Sequence, residues 1–261
     1  MLPGVYKAEK KDKTTYYRSS ITFKNKHISL GSFSTEKAAH LCYLEAQRFL
    51  TNKHCNLETH SKYLSFKKKV SILNFRDNGI YSKTPIYMYR KFFHYYFGQD
   101  DYYIFDIDDL FYYSNHSIMR RGGHLFVNDY GMQVNILSRY GIKNYGVPGR
   151  DFNFVNNNNR DFRYENIQII NRFNGVFKKN VDGKTVYETV INITNDFIVG
   201  RYTSESVAAI AYNRAASILI LKGYEKKYSV NYIEDLTKDE YKKIFDNVDI
   251  SPKILALPPI N

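Results

Sequence analysis

The chain repeats its own ends, and this limits its architecture more than any other feature of the sequence. Gly4-Val5-Tyr6-Lys7 returns as Gly175-Val176-Phe177-Lys178, and Tyr17 and Ile21 return as Tyr187 and Ile191. Gly31, Glu36, Ala39, Tyr43 and Ala46 return in the same order as Gly200, Glu205, Ala208, Tyr212 and Ala215. The spacing slips by one residue at two places, where a turn can absorb it. A unit of roughly fifty residues that recurs must be a small supersecondary module with its own buried face.

Local patterning says what the module is. Tyr17, Ser19, Ile21 and Phe23 alternate with Arg18, Ser20, Thr22 and Lys24, the two-residue period of a half-buried strand. A polar turn at Asn25-Lys26 leads to a second strand, His27 to Leu30, closed by Gly31. Ser34 stands at the expected N-cap of a helix whose inner face is Ala38, Ala39, Cys42, Tyr43, Ala46 and Phe49. In the second copy Tyr187, Thr189, Ile191 and Ile193 form the strand, followed by Phe197 to Gly200. Its helix is expected from about Thr203, with Ala208, Ala211, Tyr212, Ala215 and Leu219 turned inward.

The order Gly-Val, strand, Leu-Gly-x-Phe, Ala-Ala and Tyr resembles the AP2/ERF family. Leu30-Gly31-Ser32-Phe33 with Thr35 and Ala38-Ala39 carries it in the first copy, and Val199-Gly200-Arg201-Tyr202 with Ala208 to Ala216 in the second. The resemblance implies a three-stranded antiparallel sheet on one helix, with the open sheet face in the major groove of duplex DNA. Candidate DNA-binding residues of the first copy are then Tyr6, Arg18, Ser20, Thr22, His27 and Ser29, with Lys10, Lys24 and Lys26 at the rim. In the second copy the face is Phe177, Lys179, Glu188, Val190, Asn192, Asp196 and Ile198. Phe177, Lys179 and Asn192 are its candidate contacts, while Glu188 and Asp196 oppose phosphate. The family usually carries several Arg and Trp on this face. Only Arg18 matches that chemistry, so no target sequence carries over.

Charge placement points the same way. The chain holds 38 Lys and Arg against 26 acids, a net charge of +12. Residues 1–70 carry fourteen of the basic residues and five of the acids, so most of the excess sits in the first quarter. The two cysteines, Cys42 and Cys55, make neither a disulfide framework nor a zinc site. No stretch of apolar residues is long enough to span a bilayer, so a soluble, intracellular protein without a membrane partner is expected.

Between the copies, Asp151 to Ile167 resembles the HNH nuclease motif, with Phe105 to Leu110 and Val134 to Leu137 as its leading strands. That motif needs a carboxylate and an Asn to hold a divalent metal and a His to activate water. Asn166 matches the metal-binding Asn, but Asn153 stands at the metal Asp and Phe154 at the general base. Asp151, two residues upstream, could replace the acid but not the base. Asp106-Ile107-Asp108-Asp109 has part of a metal loop without its glycine or distal glutamate, and Lys67-Lys68-Lys69 reads as a solvated charge run.

The expected architecture is α+β: two small three-stranded-sheet-plus-helix modules flanking a central HNH-derived α+β module. The divisions are 1–52 (AP2-like), 53–75 (linker), 76–170 (degenerate HNH-like), 171–222 (second AP2-like) and 223–261 (C-terminal extension packing through Tyr241, Ile244 and Phe245). The expected function is duplex DNA binding as a regulator or accessory factor, with no catalytic residue, metal or cofactor. Two rivals stay open on the sequence: a homing-type HNH endonuclease using other ligands, and a module that binds RNA or protein.

Overall fold

Each copy of the repeat starts from a glycine in the left-handed region, Gly4 at φ 73° and Gly175 at φ 69°. In the computed structural model, which describes residues 1–224 and 226–260, these positions have no space for a side chain. A Cβ on Gly4 would lie 2.1 Å from the Tyr43 ring, and one on Gly175 would lie 2.4 Å from Tyr212. The glycine carbonyls accept from Ser20 (3.0 Å) and Val190 (2.7 Å), so each repeat's Gly and Tyr are matched for one close crossing of strand and helix.

The first copy forms β1 (Val5–Glu9), β2 (Thr15–Phe23) and β3 (Lys26–Phe33), antiparallel in that order, then α1 (Glu36–Thr51). A bulge between Ser19 and Ser20 shifts the β2–β3 register. The turn between these strands places Lys24 and Asn25 at positive φ (45° and 61°), the twist that a two-residue hairpin requires. Thr35, not Ser34, is the N-cap, accepting from the Ala38 N–H. Ala39, Cys42, Ala46, Phe49 and Leu50 of α1 pack on Ile21, Ile28 and Leu30.

The second copy has β12 (Val176–Val181), β13 (Lys184–Asn192) and β14 (Asp196–Tyr202) in the same antiparallel order, then α4 (Glu205–Leu221). Its bulge falls between Thr189 and Val190, the equivalent place. The N-cap is Ser204 rather than Thr203, again the hydroxyl directly before the first-turn glutamate. Both one-residue slips lie in the turns. Val5 pairs with Ser19 but Val176 with Thr189, and Thr22 with His27 but Asn192 with Asp196.

The protein is mixed α+β, built from small three-stranded antiparallel sheets and a few helices. Its compact units do not follow the expected divisions. One unit comprises residues 1–134 and 158–166, the other 135–157 and 167–261. The interval 53–75 is no linker. It ends in α2 (Phe66–Asn78), whose Ile72, Leu73 and Phe75 share a core with α1. The Arg76 guanidinium donates to the carbonyls of Phe49, Asn52 and Cys55, all at 2.9 Å, and so closes the C-terminal end of α1. Lys69 of the expected solvated run is buried, its ammonium on the Thr59 carbonyl and over the Phe49 and Phe66 rings.

The first unit continues with a sheet of β4 (Ile86–Met88), β5 (Phe92–Gly98) and β6 (Asp101–Asp106), then α3 (Leu110–Asn115). A third sheet follows: β7 (Ile118–Arg121), β8 (His124–Asp129) and β9 (Met132–Asn135). Phe93, Phe105, Tyr113 and Phe162 form an aromatic core. Phe162 is held there because Ile104 and the strand-like segment at Asp161 exchange main-chain bonds.

In the second unit β10 (Phe152–Phe154) pairs with β11 (Ile167–Ile169). The C-terminal α5 (Lys238–Asn247) and α6 (Pro252–Leu255) pack on α4, with Tyr241, Ile244 and Phe245 against its core as the helical spacing predicts. Asn213 of α4 bonds to both main-chain groups of Asn231, which fastens the tail. Among the described residues no helix is long and apolar enough to cross a membrane.

Candidate nucleic-acid interface

On the open face of β1–β3, one cross-strand row holds Tyr6, Arg18 and Ser32, because Tyr6 and Ser32 flank Arg18 in register. All three are exposed. Among the described residues Arg18 meets no carboxylate. Its Nε and Nη2 donate to the Tyr16 hydroxyl (3.2 and 2.8 Å), and its guanidinium stands 5.5 Å from that ring's centre. Tyr16 lies two residues away on the same strand and holds the guanidinium upright while leaving donors for another acceptor. The next row is Thr22 and His27, whose side chains face each other at 3.4 Å, and Ser29 is exposed beside them.

Ser20 departs from expectation: it is buried. The bulge brings its N–H onto the Gly4 carbonyl, so this short side chain is tucked against the start of β1. Lys24 and Lys26 are exposed at the rim, Lys24 near the Arg76 carbonyl and over Phe23 and Phe75, and Lys26 over Tyr81. A second group of exposed cations stands at the other end of the sheet, in the β1–β2 turn. Lys10, Lys11 and Lys13 are all exposed there. The turn's one acid, Asp12, accepts from the Thr14 N–H, which holds its carboxyl below the usual range. Lys11, Lys13, Tyr16 and Ser32 were not among the contacts expected from the sequence. The i, i+2 spacing of Tyr16 and Arg18 could have found Tyr16, but Ser32 needs the bulge.

The equivalent row of the second copy is Phe177, Glu188 and Arg201. Here the central residue is a nearly buried carboxylate, held between Lys179 and Arg201, the latter at 2.9 Å. Lys179, whose ammonium lies on it, followed by Arg201, keeps Glu188 ionised below the usual carboxylate range. Lys179 is therefore spent within the sheet and is not the free phosphate contact expected of it. Asn192 is exposed but donates to Asp196 and receives Lys226. Phe177 is half-buried, with Lys143 and Arg150 over its ring. The two sheets share a backbone but present opposite chemistry.

The nuclease-like positions are occupied structurally. Asp151, the one acid near the motif, is fully buried with Lys143 at 2.7 Å and Arg150 at 2.9 Å, and it accepts the Val147 N–H. Burial alone would raise its pKa, but Arg150 and Lys143 outweigh burial and hold it low. Asn166 is buried, its amide donating to the Asp161 carbonyl at 2.8 Å, and Asn153 is exposed opposite Gln168. Asp106 accepts the Tyr164 N–H at 2.6 Å and Asp109 the Tyr164 hydroxyl at 3.3 Å, so the acid-rich loop clamps the chain. Comparison with family models, curated proteins and solved structures finds no match to the chain.

Proposed function

We propose that the chain binds double-stranded DNA through the open face of β1–β3, in the manner its AP2/ERF resemblance implies. The observation that carries this reading is the Tyr6–Arg18–Ser32 row, whose guanidinium is propped by a tyrosine and, among the described residues, faces no carboxylate. Three strands about 4.8 Å apart make a slab about 10 Å across, which fits a major groove about 12 Å wide. Arg18 is then the guanine reader, Ser29, Ser32, Thr22 and His27 supply donors and acceptors, and Lys10, Lys11 and Lys13 neutralise phosphate. The middle region acts as scaffold, since the acid nearest the nuclease motif already has two cationic partners.

The test is duplex binding by the full chain to a site selected from random sequence. Arg18→Ala should relax base preference, at a cost of about 1–3 kcal/mol on the selected site. Changing Lys10, Lys11 and Lys13 to Ala should weaken all duplexes alike and flatten the log–log salt slope by about 2–3. Arg18→Ala with unchanged selectivity sinks the reading. Magnesium-dependent nicking that vanishes in Asn166→Ala would instead favour the endonuclease.

A further inference from the structure

The sheet β4–β6 has a second aromatic layer on the face opposite the aromatic core. Phe92, His94 and Tyr96 alternate on β5 with the core residues Phe93 and Tyr95, and register brings Tyr102 beside Tyr96 and Tyr87 beside His94. The rings form one contiguous surface. His94 stacks on Tyr102 (centroids 4.3 Å, planes 14° apart), Tyr89 stacks on Phe92 (4.9 Å, 25°), and Tyr89 meets His94 at 4.7 Å. Tyr89 is exposed, Phe92, His94 and Tyr102 are half-buried and Tyr96 is buried, whereas core Phe93 and Phe105 are fully buried.

Charge restricts what suits this surface. Tyr89 N–H closes a tight turn onto the Phe92 carbonyl (2.8 Å), and the two residues at its tip are Arg90 and Lys91. Both are exposed, and among the described residues neither enters an ion pair. Arg163, paired with Asp161 and Glu165, lies over Phe92 at 5.6 Å. The nearest strand acid, Asp106, is turned to the Tyr164 N–H. An exposed tyrosine at the edge of a stacked ring group, beside two exposed cations, matches flat, π-faced bases strung on a polyanion, and the bases must be unpaired, because duplex bases offer only their edges.

We propose that the Tyr89–Phe92–His94–Tyr102 surface is a stacking platform for single-stranded DNA, with Arg90 and Lys91 on its backbone. The platform is separate from the duplex-binding face of β1–β3, and only the choice of DNA over RNA rests on that earlier reading. The chain would thus hold duplex and unpaired strand on two faces of one unit.

The experiment uses the full chain and a thymine oligodeoxynucleotide with one central 2-aminopurine. Binding should quench the probe, as stacking on an aromatic ring does. Tyr89→Leu keeps apolar bulk without a π-face, and it should abolish most of the quench and weaken binding roughly tenfold. Tyr89→Phe should retain both. Arg90→Glu with Lys91→Glu, on an exposed turn that carries no core contact, should weaken binding at least tenfold and flatten its dependence on salt. Arg18→Ala should leave single-strand binding unchanged while it impairs duplex binding, so the two readings fail separately. Absence of quench, or Tyr89→Leu and Arg90→Glu/Lys91→Glu binding like the parent, overturns the platform. An oligoribonucleotide bound tenfold more tightly overturns the assignment to DNA.

Discussion

Arg18 and Glu188 occupy one backbone position in two copies of a module, and the difference in charge there reverses what the centre of the sheet offers. Around Glu188, Lys179 and Arg201 are drawn inward. Glu188→Gln should release both, and the log–log salt slope for duplex DNA should steepen by about 1–2 if that face can reach phosphate. An unchanged slope would mean the second sheet lies away from the DNA. His94 allows a different residue-scale test. Burial pushes its imidazole down from 6.5 to about 4, with Asp161 pulling weakly the other way. The folded state therefore favours the neutral ring, while the unfolded chain takes a proton below 6.5. That contribution is complete above 6.5 and is lost as pH falls toward 4. The urea midpoint should drop between pH 7 and pH 5, and His94→Phe, which keeps a ring and cannot titrate, should shrink that drop.

Among the elements, α2 most changes the picture obtained from sequence. It joins the first module's core and brings Arg76 to three carbonyls at the end of α1. Hydrogen bonds to a charged donor are each worth about 1.5–3 kcal/mol, and orphaned carbonyls add to the loss. Arg76→Ala should lower stability by about 2–4 kcal/mol in urea denaturation without changing the Arg18 row. The strands and helices of both repeats were legible because Tyr17 to Phe23 alternates and Ala39, Cys42 and Ala46 return at helical spacing. The helix at 66–78 was not, since Lys67-Lys68-Lys69 suggested water and its apolar residues run together as Val70, Ile72, Leu73 and Phe75 without a clean face. Of the candidate face, Arg18 and Thr22 follow from the alternation of Tyr17 to Lys24, and Tyr6, His27 and Ser29 from what the AP2/ERF resemblance implies. The burial of Ser20 was not legible, because it depends on a bulge, and the packing of Lys24 over Phe75 depends on a distant helix. The capture of Lys179 needed the β13–β14 register that sets Arg201 beside Glu188.

Across the whole molecule, the unit boundaries cut through the nuclease-like region instead of around it. Residues 158–166 complete a unit otherwise finished at Val134, and they supply Phe162 to the stack with Phe105 and Tyr103. Losing a buried Phe costs about 3–5 kcal/mol, a large share of the 5–15 kcal/mol that holds a domain together. A chain ended at residue 134 should melt well below the full protein, by about 10 °C or more, or fail to show a cooperative transition. Equal melting of the first transition in both would show that the inserted segment is dispensable.

That interleaving also has a consequence in time. A ribosome delivers the chain from its N-terminus, and domains commonly fold as they emerge. Here β6 must wait with an open edge at Ile104 until Arg160 to Phe162 have been synthesised. At about 5–20 residues per second the delay from Ile104 is of the order of several seconds, during which Phe93 and Phe105 lack their final cover. The first sheet and α1 need only α2, complete at Asn78, to finish their core. The end with the propped arginine is therefore ready first, and the aromatic sheet is where the newborn chain is most exposed to wrong pairing.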